Sequence, residues 1–341
     1  MRIISTLGTL ALTSLVALTT ATFGIGTASG DTGQTGPQAY ITSIETLTDQ
    51  HWVINVYSPS MESVEALDVL VPADRSAPSP TLYALNGAGQ GVVEKSGWFE
   101  ATDIVDFFAD KDVNVVSPRG GTFSYYTDWI KDDPKLGHNK WETFLTKELP
   151  PVIDAELGTT GVNSILGMSM SGSSSLFLAA RSGDLYQGVA SFSGCARTTD
   201  VVGREYMKLV VESRGKGDMT NMWGEPENPL WAEHDMYLNA DKLRGKTIYL
   251  SSRTGLPGKF DNEDNVRLNG KVDTLQDQLI LGGSIEAATG LCTRQVADRF
   301  GELGIPAVTD LGRPGSHSWG YWEEDLRRSW PTLATSLGVP A

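Results

Sequence analysis

The sequence predicts an α/β protein with a mainly parallel β-sheet and helices on both faces of that sheet. Short apolar runs rich in β-branched residues alternate with longer segments of helical periodicity through most of the chain. The central runs are apolar at every position, which is typical of strands covered on both faces. No linker, repeat or charge block divides the chain, so we expect a single domain over residues 39–341.

The elements follow in order. Alternating apolar and polar positions over residues 39–57 predict two antiparallel edge strands. Shorter apolar runs predict the other strands, at 66–71, 81–85, 113–116, 162–166, 189–192, 247–251 and 306–311. Apolar residues at helical spacing predict helices at 100–110, 140–157, 173–180, 275–300 and 321–337. Segment 72–80, rich in Pro, Ser and Ala, is predicted as a connection, and segment 199–244 as a long excursion rich in Met, Trp and Pro.

The first residues have the composition of a secretory signal peptide. Arg2 gives one early positive charge, residues 3–25 are uncharged and mostly apolar, and small residues follow up to Gly30. An uncleaved membrane anchor is the alternative. We expect residues 1–28 to be removed and the protein to be exported. No later segment of the sequence is long and apolar enough to span a bilayer.

Charge and cysteine content limit the partners and the compartment. The chain has 42 acidic and 27 basic residues, a net charge of -15, which repels phosphates and argues against nucleic acid or an anionic membrane as a partner. The two cysteines, Cys195 and Cys292, both belong to the exported part. An isolated pair in an oxidising compartment is usually a disulfide, which we expect here; two buried thiols are the alternative.

A candidate nucleophile follows the strand at 162–166. The sequence Gly167-Met168-Ser169-Met170-Ser171-Gly172 places a serine in a sharp turn between a strand and a small-residue helix. Such a nucleophile elbow exposes the serine hydroxyl above the sheet. The match to G-x-S-x-G is imperfect because Ser171 replaces the last glycine, and a tight structural turn is the alternative. Ser169 is preferred over Ser171, which would already lie in the helix.

A glycine-rich loop, residues 86–91, ends the strand at 81–85. A phosphate cradle is disfavoured because its spacing is not G-x-G-x-x-G and no acidic partner follows a second strand. In a hydrolase, this loop supplies a backbone N–H to an oxyanion hole, which would make the Ala88 and Met170 N–H groups the two donors. A plain turn is the remaining alternative.

A nucleophilic serine needs a base, and the base needs a carboxylate. Of the four histidines, only His317 follows the last predicted strand, as the chain order serine, acid, histidine requires; a solvated loop histidine is the alternative. His51, His138 and His234 lie elsewhere in the chain.

The acid stays open on the pattern alone. Asp261, Glu263 and Asp264 follow the strand at 247–251 but resemble a solvated charged loop. Glu286 stands in a less polar stretch, where a carboxylate implies a partner because burying it alone is costly.

The chain resembles the antigen 85 and corynebacterial mycoloyltransferase family, in the esterase-D branch of the α/β hydrolases. The resemblance covers about residues 39–337 in the family's order. It rests on Leu85-Asn86-Gly87, Phe123-Ser124-Tyr125-Tyr126-Thr127-Asp128-Trp129, Lys140-Trp141-Glu142-Thr143-Phe144-Leu145-Thr146, Gly167-Met168-Ser169-Met170, Met222-Trp223-Gly224 and Gly315-Ser316-His317-Ser318-Trp319-Gly320-Tyr321-Trp322.

The resemblance implies an α/β-hydrolase fold with Ser169 as nucleophile, Glu286 as acid and His317 as base, and it implies Ala88 and Met170 as oxyanion donors. It places Asn86 and Trp319 at the sugar site. Mycobacterial members use an aspartate and an arginine where this chain has Asn86 and Gly89, so the chain resembles the corynebacterial type.

The resemblance also implies an activity. The family transfers a mycoloyl chain from one trehalose monomycolate to another or to arabinogalactan. We therefore expect trehalose mycolates and cell-envelope acceptors as partners, peripheral contact with the mycolate layer, a monomer, and no metal or cofactor. A secreted carboxylesterase with the same triad and a non-catalytic wall-binding protein are the alternatives.

Overall fold

The computed structural model describes residues 38–89, 96–268 and 272–341, without the side chains of Val272 and Asp273. The predicted signal peptide lies outside these residues, as do Gln90 and Gly91 of the glycine-rich loop. Among the helices of the described ranges, none combines the length and apolar character needed to cross a bilayer.

The described part of the chain contains one nine-stranded sheet with the order β1-β2-β3-β5-β4-β6-β7-β8-β9. The first three strands are antiparallel and β3 pairs antiparallel with β5, whereas all pairs from β5 to β9 are parallel. This architecture confirms the predicted mainly parallel sheet with an antiparallel start. The strands are β1 (Tyr40–Thr46), β2 (His51–Ser58), β3 (Ser63–Leu70), β4 (Thr81–Leu85), β5 (Asn114–Pro118), β6 (Asn163–Met168), β7 (Tyr186–Phe192), β8 (Thr247–Arg253) and β9 (Val308–Arg313).

Helices cover both faces of this sheet. The α-helices are α1 (Gly97–Ala101), α2 (Ile104–Phe108), α3 (Trp141–Thr143), α4 (Leu149–Leu157), α5 (Met170–Arg181), α6 (Val201–Lys208), α7 (Met219–Trp223), α8 (Pro229–Glu233), α9 (Val272–Asp277), α10 (Gly283–Glu302) and α11 (Trp319–Leu337). Wider π-helical turns, Phe144–Glu148, Leu209–Arg214 and Gln278–Gly282, extend α3, α6 and α9. Short 3₁₀ turns lie at Ala240–Leu243 and Val266–Leu268.

The helix predicted over residues 100–110 is wrong in one respect, because it is two short helices, α1 and α2. Thr102 between them is extended, with φ -133° and ψ 172°. Its hydroxyl donates to the Trp98 carbonyl oxygen at 2.5 Å and accepts from the Ile104 N–H at 3.3 Å. A threonine side chain that bonds the backbone in this way competes with helical hydrogen bonding, which explains the break.

The alternation of side chains along β4 shows how the core is divided. Leu82 and Ala84 point into an apolar cluster shared with α1, α2 and α11, whereas Tyr83 and Leu85 point into a larger cluster on the other face. The larger cluster includes Trp223 and Trp231 of segment 199–244. That segment, the predicted excursion between strands, is therefore a helical part of the core built on α6, α7 and α8.

Candidate active site

Ser169 occupies the turn between β6 and α5 with φ 58° and ψ -123°. A non-glycine residue in this region is strained, and strain of this kind is characteristic of a nucleophile elbow. Gly167 and Gly172, on either side of Ser169, must be glycines because neighbouring backbone atoms leave no room for a side chain. A Cβ at Gly167 would lie 2.1 Å from the Ser171 carbonyl oxygen, and a Cβ at Gly172 would lie 2.8 Å from the Phe192 carbonyl oxygen.

Ser171 has a structural role in this turn. Its hydroxyl is fully buried, accepts from the Met168 N–H at 2.9 Å and lies 3.0 Å from the carbonyl oxygens of Leu85 and Met168. These contacts hold β4, β6 and the start of α5 together and leave Ser171 no access to the surface. Ser169, which is 8% exposed, is the serine of this pair that lines a cavity.

The structure brings Ser169, His317 and Glu286 together. His317 Nε2 lies 2.7 Å from Ser169 Oγ, and His317 Nδ1 lies 2.7 Å from Glu286 Oε2. The His317 N–H donates to the Gly282 carbonyl oxygen at 3.2 Å, and the Trp322 ring packs perpendicular to the imidazole with centroids 4.9 Å apart. Three residues distant in sequence thus form one continuous hydrogen-bonded row.

Glu286 is fully buried in the first turn of α10. Its Oε1 accepts from Ser193 Oγ at 2.9 Å, Ser252 Oγ at 2.9 Å and the Arg253 N–H at 2.5 Å, while Oε2 faces His317. These donors compensate the cost of burying a carboxylate. The carboxylate is therefore fixed with one oxygen free to orient the imidazole.

Asp261, one of the alternative acids, is buried, which corrects the expectation of a solvated loop. It accepts from the N–H groups of Gly258 at 2.8 Å and Ser316 at 3.1 Å, from Tyr321 Oη at 2.7 Å and from Gln278 Nε2 at 2.6 Å. Its carboxylate thus hydrogen-bonds to Ser316, the residue before His317, and not to the imidazole.

The remaining alternatives also lie away from Ser169. Glu263 and Asp264 are exposed. The other three histidines are each engaged by a carboxylate: His51 by Asp68 at 3.0 Å, His138 by Asp132 at 2.6 Å and His234 by Glu142 at 3.3 Å.

The predicted oxyanion donors flank Ser169. β4 and β6 are paired in parallel, with Leu85 opposite Gly167, so the loop after β4 lies over the elbow. Ala88 lines the cavity beside Ser169, and its carbonyl oxygen is held by the Phe123 N–H at 2.9 Å. Met170 is the first residue of α5, where an N–H has no acceptor within the helix and the helix dipole favours negative charge. This placement is compatible with both predicted donors.

A cavity of about 700 Å³ opens beside Ser169 and His317. Its wall contains apolar side chains, Met168, Leu268, Leu281, Ile285, Trp319 and Trp322, and polar or charged ones, Glu100, Arg214, Asn265, Arg267, Asp277 and Gln278. Across the described ranges, no three His, Cys, Asp or Glu side chains are grouped as a metal site would require.

Asn86 does not line this cavity, which contradicts its prediction as a sugar contact. The residue is fully buried, its amide donates to the Pro118 carbonyl oxygen at 2.6 Å, and its Oδ1 accepts from the Trp98 N–H at 3.4 Å. Both ends of the side chain therefore bind backbone and fix the loop after β4. Trp319, in contrast, does line the cavity beside Ser169.

Comparison with known proteins places the chain in a family. Residues 58–333 match the family model described as "Putative esterase". Ag85A of Mycobacterium ulcerans, named a diacylglycerol acyltransferase/mycolyltransferase, is 31% identical over 273 residues, which cover 77% of this chain and 75% of that protein. Ag85B of Mycobacterium leprae, with the same description, is 30% identical over 266 residues and 76% of each chain. The chain belongs to the antigen 85 group of this esterase family.

Solved structures agree with this membership at the level of fold. MPT51 of Mycobacterium tuberculosis aligns with a TM-score of 0.67 at 23% identity, covering 82% of this chain and 96% of that one. An S-formylglutathione hydrolase from Agrobacterium tumefaciens aligns with a TM-score of 0.58 at 15% identity, covering 87% and 99%. The predicted α/β-hydrolase fold is therefore confirmed, and the antigen 85 family makes the protein an acyl-transferring or ester-hydrolysing enzyme.

In this antigen 85 family member, Cys195 and Cys292 are joined by a disulfide, as predicted. Both residues are fully buried, and their Cα atoms lie 5.0 Å apart although 97 positions separate them in the sequence. The bond ties the segment after β7 to α10, the helix that carries Glu286.

Tyr206 is a residue beside Ser169 that sequence reasoning missed. It lies on α6, and its hydroxyl is 3.3 Å from Ser169 Oγ. Burial raises the pKa of Tyr206 to about 12. One signal for α6 was present in the sequence: Asp200 caps the helix by accepting from the Val202 N–H at 2.9 Å, and aspartate is a preferred N-cap residue.

Proposed function

We propose that the protein is an exported acyltransferase that moves a mycoloyl chain from trehalose monomycolate to a second trehalose monomycolate or another cell-envelope hydroxyl. The observation that carries this proposal is the row Ser169–His317–Glu286, with two hydrogen bonds of 2.7 Å beside a cavity. The similarity to proteins named mycolyltransferases over about three quarters of the chain supports the choice of acyl group.

In the first step, Ser169 Oγ attacks the ester carbonyl carbon while its proton passes to His317 Nε2. Glu286 holds the imidazole in the tautomer that leaves Nε2 free to accept this proton, and it stabilises the imidazolium that results. Hydrogen bonds from the Ala88 and Met170 N–H groups stabilise the negative charge that develops on the carbonyl oxygen. The loop after β4 and the start of α5 hold these two donors in place before the reaction.

The intermediate then collapses, and the bond between the acyl carbon and the sugar oxygen breaks. His317 gives its proton to that oxygen, so that the free sugar hydroxyl leaves and the acyl group stays on Ser169. An acceptor hydroxyl next attacks the acyl-enzyme and loses its proton to His317. Collapse of this second intermediate returns the proton to Ser169 Oγ and releases the new ester.

The cavity wall suits a substrate with an apolar chain and a polar head. Trp319 offers an aromatic face of the kind that packs on sugar rings, and the charged and amide side chains offer partners for sugar hydroxyls. Transfer to a sugar requires that the acceptor occupy this region faster than water does. If water attacks the acyl-enzyme faster than the acceptor hydroxyl does, the same residues catalyse ester hydrolysis and the enzyme is a carboxylesterase.

The test is intact-mass analysis of the purified protein after incubation with a trehalose monoester, with and without free trehalose. We expect an acyl adduct on the wild type and on Ser213→Ala, an exposed serine used as control, and none on Ser169→Ala. Free trehalose should discharge the adduct faster and yield a sugar ester. Discharge at one rate with or without sugar would show an esterase, and the absence of both adduct and turnover would favour the wall-binding alternative.

Export and association are proposed with the activity. Mass analysis of protein recovered from the culture medium should give a mature chain without residues 1–28, and size-exclusion chromatography should give a monomer. A chain that retains the leader and stays with the membrane fraction would show an anchor instead of a signal peptide. Contact with the mycolate layer would be peripheral in the first case.

A further inference from the structure

The environment of Ser169 Oγ contains one group that the Ser–His–Glu mechanism does not use. Tyr206 Oη lies 3.3 Å from Ser169 Oγ, on α6, and within the described ranges this serine is the hydrogen-bond partner of that hydroxyl. The ring is buried in the larger core cluster, with 5% of its surface exposed. A phenol that approaches a candidate nucleophile from inside the protein is thus present beside the proposed triad.

The direction of this hydrogen bond follows from its neighbours. When Glu286 accepts the proton on His317 Nδ1, Nε2 must accept the proton of Ser169, so Ser169 Oγ has only lone pairs left for Tyr206. The phenol stays protonated throughout the neutral range, because burial raises the pKa of Tyr206 to about 12. Tyr206 is therefore the donor and Ser169 the acceptor.

We propose that Tyr206 is a catalytic residue that donates a hydrogen bond to Ser169 Oγ whenever that oxygen carries negative charge. The charge develops when Ser169 loses its proton to His317, and again when Ser169 is the leaving group of the acyl-enzyme. Tyr206 keeps its own proton in both steps, so no additional proton acceptor is needed. This role rests on the proposed function, because it requires Ser169 to be the nucleophile.

The length of the contact favours a role in the transition state. A neutral O–H···O bond is usually about 2.7–2.8 Å long, whereas a bond to an anionic oxygen shortens to about 2.5–2.7 Å. At 3.3 Å the ground-state bond is weak, so most of its strength is gained only when Ser169 becomes charged. An interaction that strengthens between ground state and transition state lowers the barrier instead of only tightening binding.

The chain offers a matched control in Tyr83. Its ring is also fully buried in the larger cluster, its hydroxyl has no hydrogen-bond partner among the described residues, and its pKa is raised well above the usual value by burial. Tyr83→Phe removes the same atom as Tyr206→Phe from the same core, and the charges that act on Tyr83 are those of Tyr186 and Asp154, not of Tyr206.

The experiment follows release of p-nitrophenol from p-nitrophenyl butyrate, in which the initial burst reports acylation and the steady state reports deacylation. We expect Tyr206→Phe to slow both phases about tenfold with little change in KM, since a hydrogen bond to a charged group is worth about that factor. Tyr83→Phe should stay within about twofold of the wild type, as expected for a hydroxyl outside the reaction. Equal rates for the two variants, or a change confined to KM, would overturn the proposal.

Two further variants separate the role of Tyr206 from the proposed function itself. Replacement of Tyr206 by 3-fluorotyrosine keeps the ring and makes the phenol a stronger donor, so both phases should accelerate; unchanged rates would contradict the role. Ser169→Ala tests the proposed function separately, since a burst that persists in this variant would refute Ser169 as nucleophile. A burst that needs Ser169 but does not respond at Tyr206 would leave the proposed function standing and remove only this inference.

Discussion

Asp261 accepts a hydrogen bond from the backbone N–H of Ser316, the residue immediately before His317, at 3.1 Å. The same carboxylate accepts from Ser316 Oγ, from Tyr321 Oη and from Gln278 Nε2. It therefore fastens the loop that carries His317 to the start of α11 on one side and to the π-helical turn before α10 on the other. Asp261 holds the loop, while Glu286 orients the ring.

Replacing Asp261 by asparagine should damage both stability and turnover. The amide nitrogen of asparagine would face groups that donate, so at least one buried hydrogen bond to a charged acceptor is lost. We expect about 2 kcal/mol less free energy of unfolding and a fall in kcat as His317 loses its fixed position. Asp264→Asn, at an exposed position in the same segment, is the control and should change neither quantity in chemical denaturation or ester hydrolysis assays. An Asp261→Asn enzyme with wild-type stability would contradict this role.

Gly167→Ala should be among the most damaging small substitutions in the chain. The added Cβ would lie 2.1 Å from a backbone oxygen of the elbow, where no side chain can turn away to make room. Overpacking of this kind costs about 1–3 kcal/mol or more, and the shift would move Ser169 away from His317. Thermal unfolding and burst amplitude both measure the effect.

The matched substitution is Gly301→Ala, in the last turns of α10, where a Cβ would meet nothing within 4 Å. Alanine is favoured over glycine in a helix by about 0.5–1 kcal/mol, so this variant should be as stable as the wild type or more stable. If both alanines are tolerated equally, the elbow is looser than the structure shows.

Much of the fold could be predicted because the informative signals are local. Residues 81–85 predict β4 with its observed bounds, and the strand, turn and helix around Ser169 are formed by consecutive residues. Chain order alone predicts His317 as the base, since it follows the last strand of the sheet. Glu286 requires the family resemblance, because four of its donors, Ser193, Ser252, Arg253 and His317, come from three separate segments that only the folded chain brings together.

The errors arose where a side chain's partner is distant in sequence. Asn86 is assigned to the sugar site by the family resemblance, yet its partners are the backbones of Pro118 and Trp98. Asp261 stands among charged residues and is nevertheless buried by Tyr321 and Ser316. Tyr206 approaches Ser169 from a helix 37 positions away, and no spacing rule connects the two.

Asp325 should make stability depend on pH. It is fully buried on α11, and this burial raises its pKa from the usual 3.8 to about 7. The nearby Arg253 lowers the pKa, but this guanidinium also pairs with Asp310. Repulsion from Asp310 and Glu286 raises the pKa further. The folded state therefore holds a proton that the unfolded chain releases above about pH 4. Between pH 4 and 7 the unfolded state binds fewer protons, so this residue lowers the free energy of unfolding as pH rises.

Asp325→Asn removes that titration while keeping the shape of the side chain. Relative to the wild type, the variant should gain about 3 kcal/mol of unfolding free energy between pH 5 and 8, as one proton over about two pH units requires. Urea denaturation at the two pH values measures the difference. The control is Asp241→Asn at an exposed position, whose difference from the wild type should not change with pH. A constant difference for Asp325→Asn as well would show that Arg253 keeps the carboxylate charged throughout.

Loss of the Cys195–Cys292 disulfide should affect activity through Glu286. The bond closes a loop of 97 residues, and cross-links of that length stabilise a protein by about 4–5 kcal/mol in the chain-entropy account. Without it, α10 is held to the segment after β7 only by noncovalent contacts such as Thr293 Oγ1 to the Gly194 carbonyl oxygen at 2.8 Å. We expect the Cys195→Ala, Cys292→Ala double variant to unfold at a lower temperature and to turn over more slowly, because Glu286 begins the same helix.

Dithiothreitol should reproduce both effects in the wild type once the bond is reduced, and should leave the double variant unchanged. A reduced wild type with two titratable thiols but the original melting temperature and rate would show that the bond contributes to neither.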